Sequence, residues 1–174
     1  MAVHRLNHAV LYVRDVPRSV TFYAEALGFA PTPGMPPIPG AAFLRAPGST
    51  NDHDLGLFAV GEAAGASGAG QGSVGLYHLA WEVDTLTDLA EIAERLSTLG
   101  ALRGASDHST TKALYAHDPD GLEFEVCWLV PADRIDDDML SARSRILPLD
   151  IEREIARFGA ETMGGLGVSR PVPA

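Results

Sequence analysis

Ser106–Trp128 reads SDHSTTKALYAHDPDGLEFEVCW, two short alternating runs around a turn. In the first run Leu114 and Ala116 share one face, while Ala113, Tyr115 and His117 share the other. Asp118-Pro119-Asp120-Gly121 is turn chemistry: proline presets φ, and glycine supplies a position where φ can be positive. Leu122, Phe124, Val126 and Trp128 then alternate with Glu123, Glu125 and Cys127. That is the period of a strand with one buried face. A strand that aims two carboxylates from its other face is either solvated there or has a use for a carboxylate. His108 and Tyr115, just upstream, favour a use.

Outward from this hairpin the chain repeats itself. Leu6–Val13 alternates as an opening strand, with Leu6, His8, Val10 and Tyr12 opposite Asn7, Ala9, Leu11 and Val13. Asp15 can cap the next element, Pro17 suits a first helical turn, and Val20, Tyr23 and Leu27 recur at helical spacing before Gly28. Pro31, Pro33, Pro36, Pro37 and Pro39 make the following segment a loop with room for a short edge strand. Ala41–Arg45 and Asp54–Val60 read as two further strands. After the Gly, Ala and Ser of residues 61–75, a connector by composition, Tyr77–Val83 opens a second series. Asp84 or Thr85 caps a helix whose Leu86, Leu89, Ala93 and Leu96 share a face, and Gly100 ends it. Strands around Leu102, Leu114 and Phe124 follow.

A histidine on an opening strand, followed by a helix that ends in Leu-Gly, thus occurs twice: His8 with Leu27-Gly28, and His78 with Leu99-Gly100. Internal repeats outrank other fold signals. This one predicts an α+β fold of two βαβββ modules, residues 4–60 and 76–130, joined by the linker 61–75 into one domain, residues 1–130. Residues 131–174 depart from the repeat and form a C-terminal extension. Its clearest helix is Asp150–Phe158, where Ile151, Ile155 and Phe158 line a face, and it is expected to wrap the domain or meet a partner subunit. Asp136-Asp137-Asp138 reads as a solvated turn.

Composition narrows the partners. The chain has 174 residues, 46% of them hydrophobic and 21% charged, which suits one globular domain with a proper core. A formal charge of −10 repels phosphate backbones and anionic membranes, so neither nucleic acid nor a lipid surface is expected as a partner. No run reaches the ~18 apolar residues of a membrane helix. The N-terminus alternates as a strand from the start, so no signal peptide is expected. Cys127 is the sole cysteine, and the absence of any internal disulfide fits the reducing cytoplasm. A small-molecule substrate is expected.

Two βαβββ modules that each open on a strand histidine resemble the vicinal-oxygen-chelate superfamily (glyoxalase, bleomycin resistance protein and dioxygenase). Within it, residues 4–130 are most similar to extradiol ring-cleaving dioxygenases of the catechol 2,3-dioxygenase type. Their signature is a His, five to seven residues, an aliphatic-Tyr pair, two residues, Asp-Pro-x-Gly and a following Glu. Here it runs His108, five residues, Leu114-Tyr115, two residues, Asp118-Pro119-Asp120-Gly121, three residues, Glu125. One departure is Ala105, where the family carries a Gly three residues before the His; Gly104 lies one place away. The resemblance implies a cupped, incomplete barrel around a metal, with His8, His78 and Glu125 as ligands to Fe(II); Mn(II) suits the same set. Two histidines and a carboxylate on one face leave open positions for a chelating catechol and O2.

The resemblance also implies that His53, in a stretch similar to the family's His-x-Leu-Ala-Phe, is an acid–base residue. His108 and Tyr115 would hydrogen-bond a substrate hydroxyl. The implied activity is an aromatic-catabolic dioxygenase that puts both atoms of O2 into a catechol-type diol, working as a homodimer. Glu123 shares the face of Glu125, and the family spacing favours Glu125 as the ligand. His4 and His117 receive no role. Two alternatives stay open. A glyoxalase-type isomerase or epimerase would take a fourth ligand from the last strand of the first module, but Asp54–Val60 offers no Glu or Gln. A metal-free module that sequesters an antibiotic would not need the His–His–Glu set.

Overall fold

In the computed structural model, which describes Val3 and residues 5–165, both halves of the repeat fold by the same local rules. Strand β1 (Ala9–Val13) leads into helix α1 (Val16–Leu27). Asp15 caps that helix by accepting from Arg18 N at 2.6 Å, and Gly28 stops it in the left-handed region at φ 75°. Strands β2 (Ala30–Pro31), β3 (Ala41–Arg45) and β4 (Leu55–Ala59) complete a mixed sheet of order β1-β4-β3-β2. β1 runs parallel to β4, and the other pairs are antiparallel. Leu11, Val13, Leu44, Leu55 and Leu57 form the buried side with Phe22, Tyr23 and Ala26 of α1.

The second half has the same order with one strand added. It comprises β5 (Leu79–Glu82), α2 (Leu86–Thr98), β6 (Leu102–Asp107), β7 (Thr111–His117) and β8 (Glu123–Leu129). With β9 (Leu147–Pro148) from the extension added at its edge, the sheet reads β5-β8-β7-β6-β9, again with the opening strand parallel to the last strand of its module. Thr85, not Asp84, caps α2 in a reciprocal box: Thr85 Oγ1 accepts from Asp88 N, and Asp88 Oδ2 accepts from Thr85 N. Leu86, Leu89, Ile92 and Leu96 are the buried stripe, so Ile92 takes the place given to Ala93. The fold is α+β, as the repeat predicts.

Both opening strands begin later than the alternation suggests. Ala9 is the first residue of β1 with a partner, Leu55, and Leu79 is the first of β5, opposite Phe124. His8 and His78 therefore stand just ahead of their ladders. By contacts the chain divides into two compact units within the glycine-rich connector, at Gly68/Ala69, and Asp118–Leu122 groups with the first unit. In that turn Asp118 Oδ1 accepts from Asp120 N and Leu122 N, and Gly121 has φ 81°. Asp120 Oδ1 binds Arg14 at 2.8 Å and Arg18 at 2.7 Å. The signature's aspartates thus have structural partners.

The extension is no loose appendage to the second unit. It continues as a short turn of 3-10 helix (Ala132–Arg134), α3 (Asp137–Ala142), β9 (Leu147–Pro148) and α4 (Ile151–Phe158). Asp136-Asp137-Asp138 is the start of α3 and not a turn. Asp136 accepts from Met139 N at 2.7 Å, and acids are favourable at that end of the helix dipole. β9 pairs along part of the outer edge of β6, and Phe158 packs on Trp128 with ring centroids 5.5 Å apart.

Lys112 is the unexpected residue of β7. It lies in register with the buried Leu114 and Ala116 and is fully buried. Its Nζ sits 2.5 Å from Asp107 Oδ1 and 3.0 Å from Glu154 Oε2 of α4. A buried ammonium needs paired carboxylates, and the extension supplies one of them. His4 lies outside the described residues, and no described helix is long and apolar enough to cross a membrane.

Candidate functional site

In the second unit, the parallel pairing of β5 with β8 sets Ala80 opposite Glu125, which brings His78 to the same end of the ladder as the two carboxylates. His78 Nε2 lies 3.1 Å from Glu125 Oε2, and His78 Nδ1 lies 3.6 Å from Glu123 Oε1. Glu125 is the less exposed carboxylate, at 12% of its side chain against 23% for Glu123. His78 Nδ1 and Glu123 Oε1 are buried and have no hydrogen-bond partner among the described residues. Polar atoms left in that state need an explanation.

Tyr115 stands directly opposite Glu125 across β7 and β8, and its ring meets that of His78 in a T-shaped contact, centroids 5.9 Å apart. Its hydroxyl lies 3.0 Å from His108 Nε2. The Tyr115 phenol is pushed up to about 12, by burial first and then by the negative charge of Glu125, with smaller effects of Tyr77, Cys127 and Glu123. It therefore keeps its proton throughout the neutral range and acts as a hydrogen-bond donor. His117, given no role by the sequence, lies 3.6 Å from Glu123 Oε2 through Nε2, while its Nδ1 accepts from Arg103 Nε at 3.3 Å.

In the first unit, His8 and His53 come together with ring centroids 4.5 Å apart. His53 also meets the edge of Phe43, and its Nδ1 lies 3.0 Å from Asp52 Oδ2. His8 Nδ1 lies 2.8 Å from Asn7 Oδ1. The loop that presents His53 is tied by the buried Asp54. Burial raises that carboxyl, but hydrogen bonds from Ala46 N, Asn51 and Ser49 and the nearby His53 outweigh it, leaving it below its ordinary range.

Of the expected ligands, then, His78 and Glu125 are brought together in the second unit, and His8 belongs to the first. Among the described residues no group of three or more His, Cys, Asp and Glu side chains gathers as a metal site. The donor pair itself fits a divalent cation: two cis ligands at ~2.1 Å from one metal stand about 3 Å apart, and mixed nitrogen and oxygen donors suit Fe(II) or Mn(II). The orphaned Glu123 Oε1 and His78 Nδ1 face each other as a metal-bound histidine and its supporting carboxylate do. Glu123's contact with His78 is what sequence reasoning missed. The signal was present, since Glu123 shares the face of Glu125, but alternation cannot say which nitrogen either acid approaches.

A family model described as the glyoxalase/bleomycin resistance protein/dioxygenase superfamily matches residues 5–126. The chain belongs to that superfamily. Solved members of this fold include a glyoxylase/bleomycin resistance protein/dioxygenase domain from Frankia sp. EAN1pec, 25% identical, covering 72% of this chain and 92% of its own, with TM-score 0.59. A lactoylglutathione lyase from Agrobacterium tumefaciens is 21% identical over 73% of this chain and 95% of its own, with TM-score 0.53. A fosfomycin resistance protein, FosX, from Listeria monocytogenes, solved as a variant with Mn(II) and a dihydroxypropylphosphonic acid, is 16% identical. It covers 72% of this chain and 90% of its own, with TM-score 0.53. No curated protein matches the sequence. The family match ends before the extension.

Cys127 shares the face of Glu125, yet it is buried, and its thiol is pushed up to about 12 by burial first and then by Glu125 and Glu82. A neutral, covered thiol is a poor nucleophile and resists oxidation. Native protein at pH 8 is expected to leave Cys127 unlabelled by iodoacetamide, with complete labelling after unfolding. One equivalent incorporated without unfolding would contradict the burial.

Proposed function

We propose that this chain is a divalent-metal-dependent extradiol dioxygenase that cleaves the ring of a catechol-type diol with O2. The observation that carries the reading is the His108–Tyr115 pair, 3.0 Å apart: Tyr115 lies on the strand facing Glu125 with its ring against His78, and His108 stands in the turn before that strand. The ligand set is the one the sequence resemblance implies, His8, His78 and Glu125. Fe(II) bound there would act as a Lewis acid toward the diol and supply the one-electron chemistry that O2 needs.

The remaining work falls to protein side chains. Tyr115 Oη, kept protonated, donates a hydrogen bond to a substrate oxygen, and His108 Nε2 holds the same oxygen or exchanges its proton. In the first unit, the Asp52 carboxylate at His53 Nδ1 leaves Nε2 as the nitrogen that takes up or returns a proton. The phenyl edge of Phe43 holds that ring in place. We further propose a homodimer in the cytoplasm.

The test is anaerobic loading with Fe(II), in parallel with Mn(II), followed by a panel of catechols and air-saturated buffer. Yellow ring-opened product with stoichiometric oxygen uptake is the expected result. One equivalent of bound metal with no diol cleaved would move the chain to the isomerase or epimerase class. Failure to bind metal at all would favour a metal-free binding module.

A further inference from the structure

We propose that the C-terminal extension, which lies outside the family match, is a positioning element for His108. His108 sits at the tip of the β6–β7 hairpin, where short loops ordinarily have the most freedom. Here the next residue, Ser109, holds φ 69°, the one positive value among described residues other than glycine. Such a conformation persists only when its surroundings over-determine it. The surroundings in this case come largely from the extension.

Ser109 Oγ donates to the carbonyl of Met139 in α3 at 2.9 Å, and Met139 itself is buried. Ser109 N donates to Asp107 Oδ1 at 2.7 Å. That carboxylate is fixed in turn by Lys112 Nζ, and Lys112 by Glu154 of α4. Leu147 of β9 pairs with Asp107 itself. α3, β9 and α4 therefore converge on the residues either side of His108. Within the turn, His108 N donates to Thr111 O and Thr110 N donates to His108 O, both at 2.9 Å, so the backbone of His108 is held at both polar groups. With the main chain fixed, the imidazole reaches Tyr115 Oη at 3.0 Å. Removing the tie to Met139 frees the tip without touching either His108 or Tyr115.

The dioxygenase reading above gives His108 its task, but the positioning can be measured without it. The experiment is NMR of histidine ring nitrogens in metal-free protein, comparing wild type with Ser109→Ala and Glu154→Gln. His117, at the far end of β7, is the internal control. His108 is expected to shift and broaden in both variants while His117 stays unchanged, a pattern that general loosening does not produce. In Fe(II)-loaded protein, kcat/KM for the diol is expected to fall on the order of 10- to 100-fold at unchanged metal content, since a displacement near 1 Å has that size of effect. His108 signals that coincide with wild type in both folded variants, or that move together with His117, overturn the proposal. A wild-type protein that cleaves no diol refutes the dioxygenase reading, and the ring-nitrogen pattern then decides the positioning by itself.

Discussion

Glu125→Ala is expected to abolish ring cleavage and to leave the protein without metal after dialysis, and His78→Ala to do the same. In the proposed site both residues would contribute donors, which stand 3.1 Å apart, so removing either would leave the cation one fewer protein ligand from a small set. Glu123→Ala is the informative contrast. Its carboxylate approaches the other nitrogen of His78, at 3.6 Å, where it can set the tautomer and orientation of the ring without binding metal. Loss of such a support costs roughly 10- to 100-fold in metal affinity, so the Glu123 variant should still bind one equivalent at higher metal concentration. Metal content by mass spectrometry and affinity by titration separate the cases. Should Glu123→Ala lose the metal outright and Glu125→Ala retain it, the two carboxylates exchange roles.

Lys112→Ala is expected to have the largest effect on stability. The ammonium is fully buried between Asp107 and Glu154, and removing one member of a buried ionic group costs about 3–5 kcal/mol because the remaining charges lose compensation. For a chain of this size that is a fall in Tm on the order of 10 °C. Glu154→Ala should cost less, since Lys112 keeps Asp107. Arg153, which lies 3.1 Å from Glu154 in the native protein, remains 3.5 Å from Asp107. Lys112→Met combined with Glu154→Leu should return part of the lost stability, because the Glu154 carboxylate leaves with the ammonium at kept volume while Asp107 retains only Arg153, at 3.5 Å. Denaturant unfolding of the four proteins measures this. A Lys112→Ala loss below about 1 kcal/mol, the value usual for exposed pairs, would show that the site is solvated.

Much of the fold was legible because its signals are local. Asp15 before Pro17, and Gly28 and Gly100 after their helices, each act within one turn of chain, so spacing alone identifies them; at α2 spacing left Asp84 or Thr85, and the reciprocal bonds with Asp88 decide for Thr85. The repeat was legible for the same reason, and it extends to strand order: β1-β4-β3-β2 and β5-β8-β7-β6 are one topology used twice. The signature's turn was likewise readable, down to a positive φ at Gly121. The opening strands were read too long at their starts, since a strand begins where a partner does, and the partner is set elsewhere in the chain.

The candidate site divides along the same line. Alternation placed Glu123, Glu125 and Cys127 on one face, and His108 with Tyr115 in one hairpin, because a strand's side chains follow its backbone period. Lys112 shows the limit. Its register pointed it at the core, yet nothing near it in sequence could make a buried ammonium tolerable; that required Glu154 from a helix whose docking depends on Phe158, Trp128 and the edge of β6. Likewise, the convergence of α3, β9 and α4 on Ser109, and the approach of Glu123 and Glu125 to different nitrogens of His78, are choices among distant partners. The sequence by itself determined the repeated elements of the two modules, several of their caps and the faces their strands present, but not α3 or β9 of the extension. Only the tertiary structure decided which faces meet, because the desolvation that makes a charge pair or a hydrogen bond matter exists only once segments far apart in the chain are packed together.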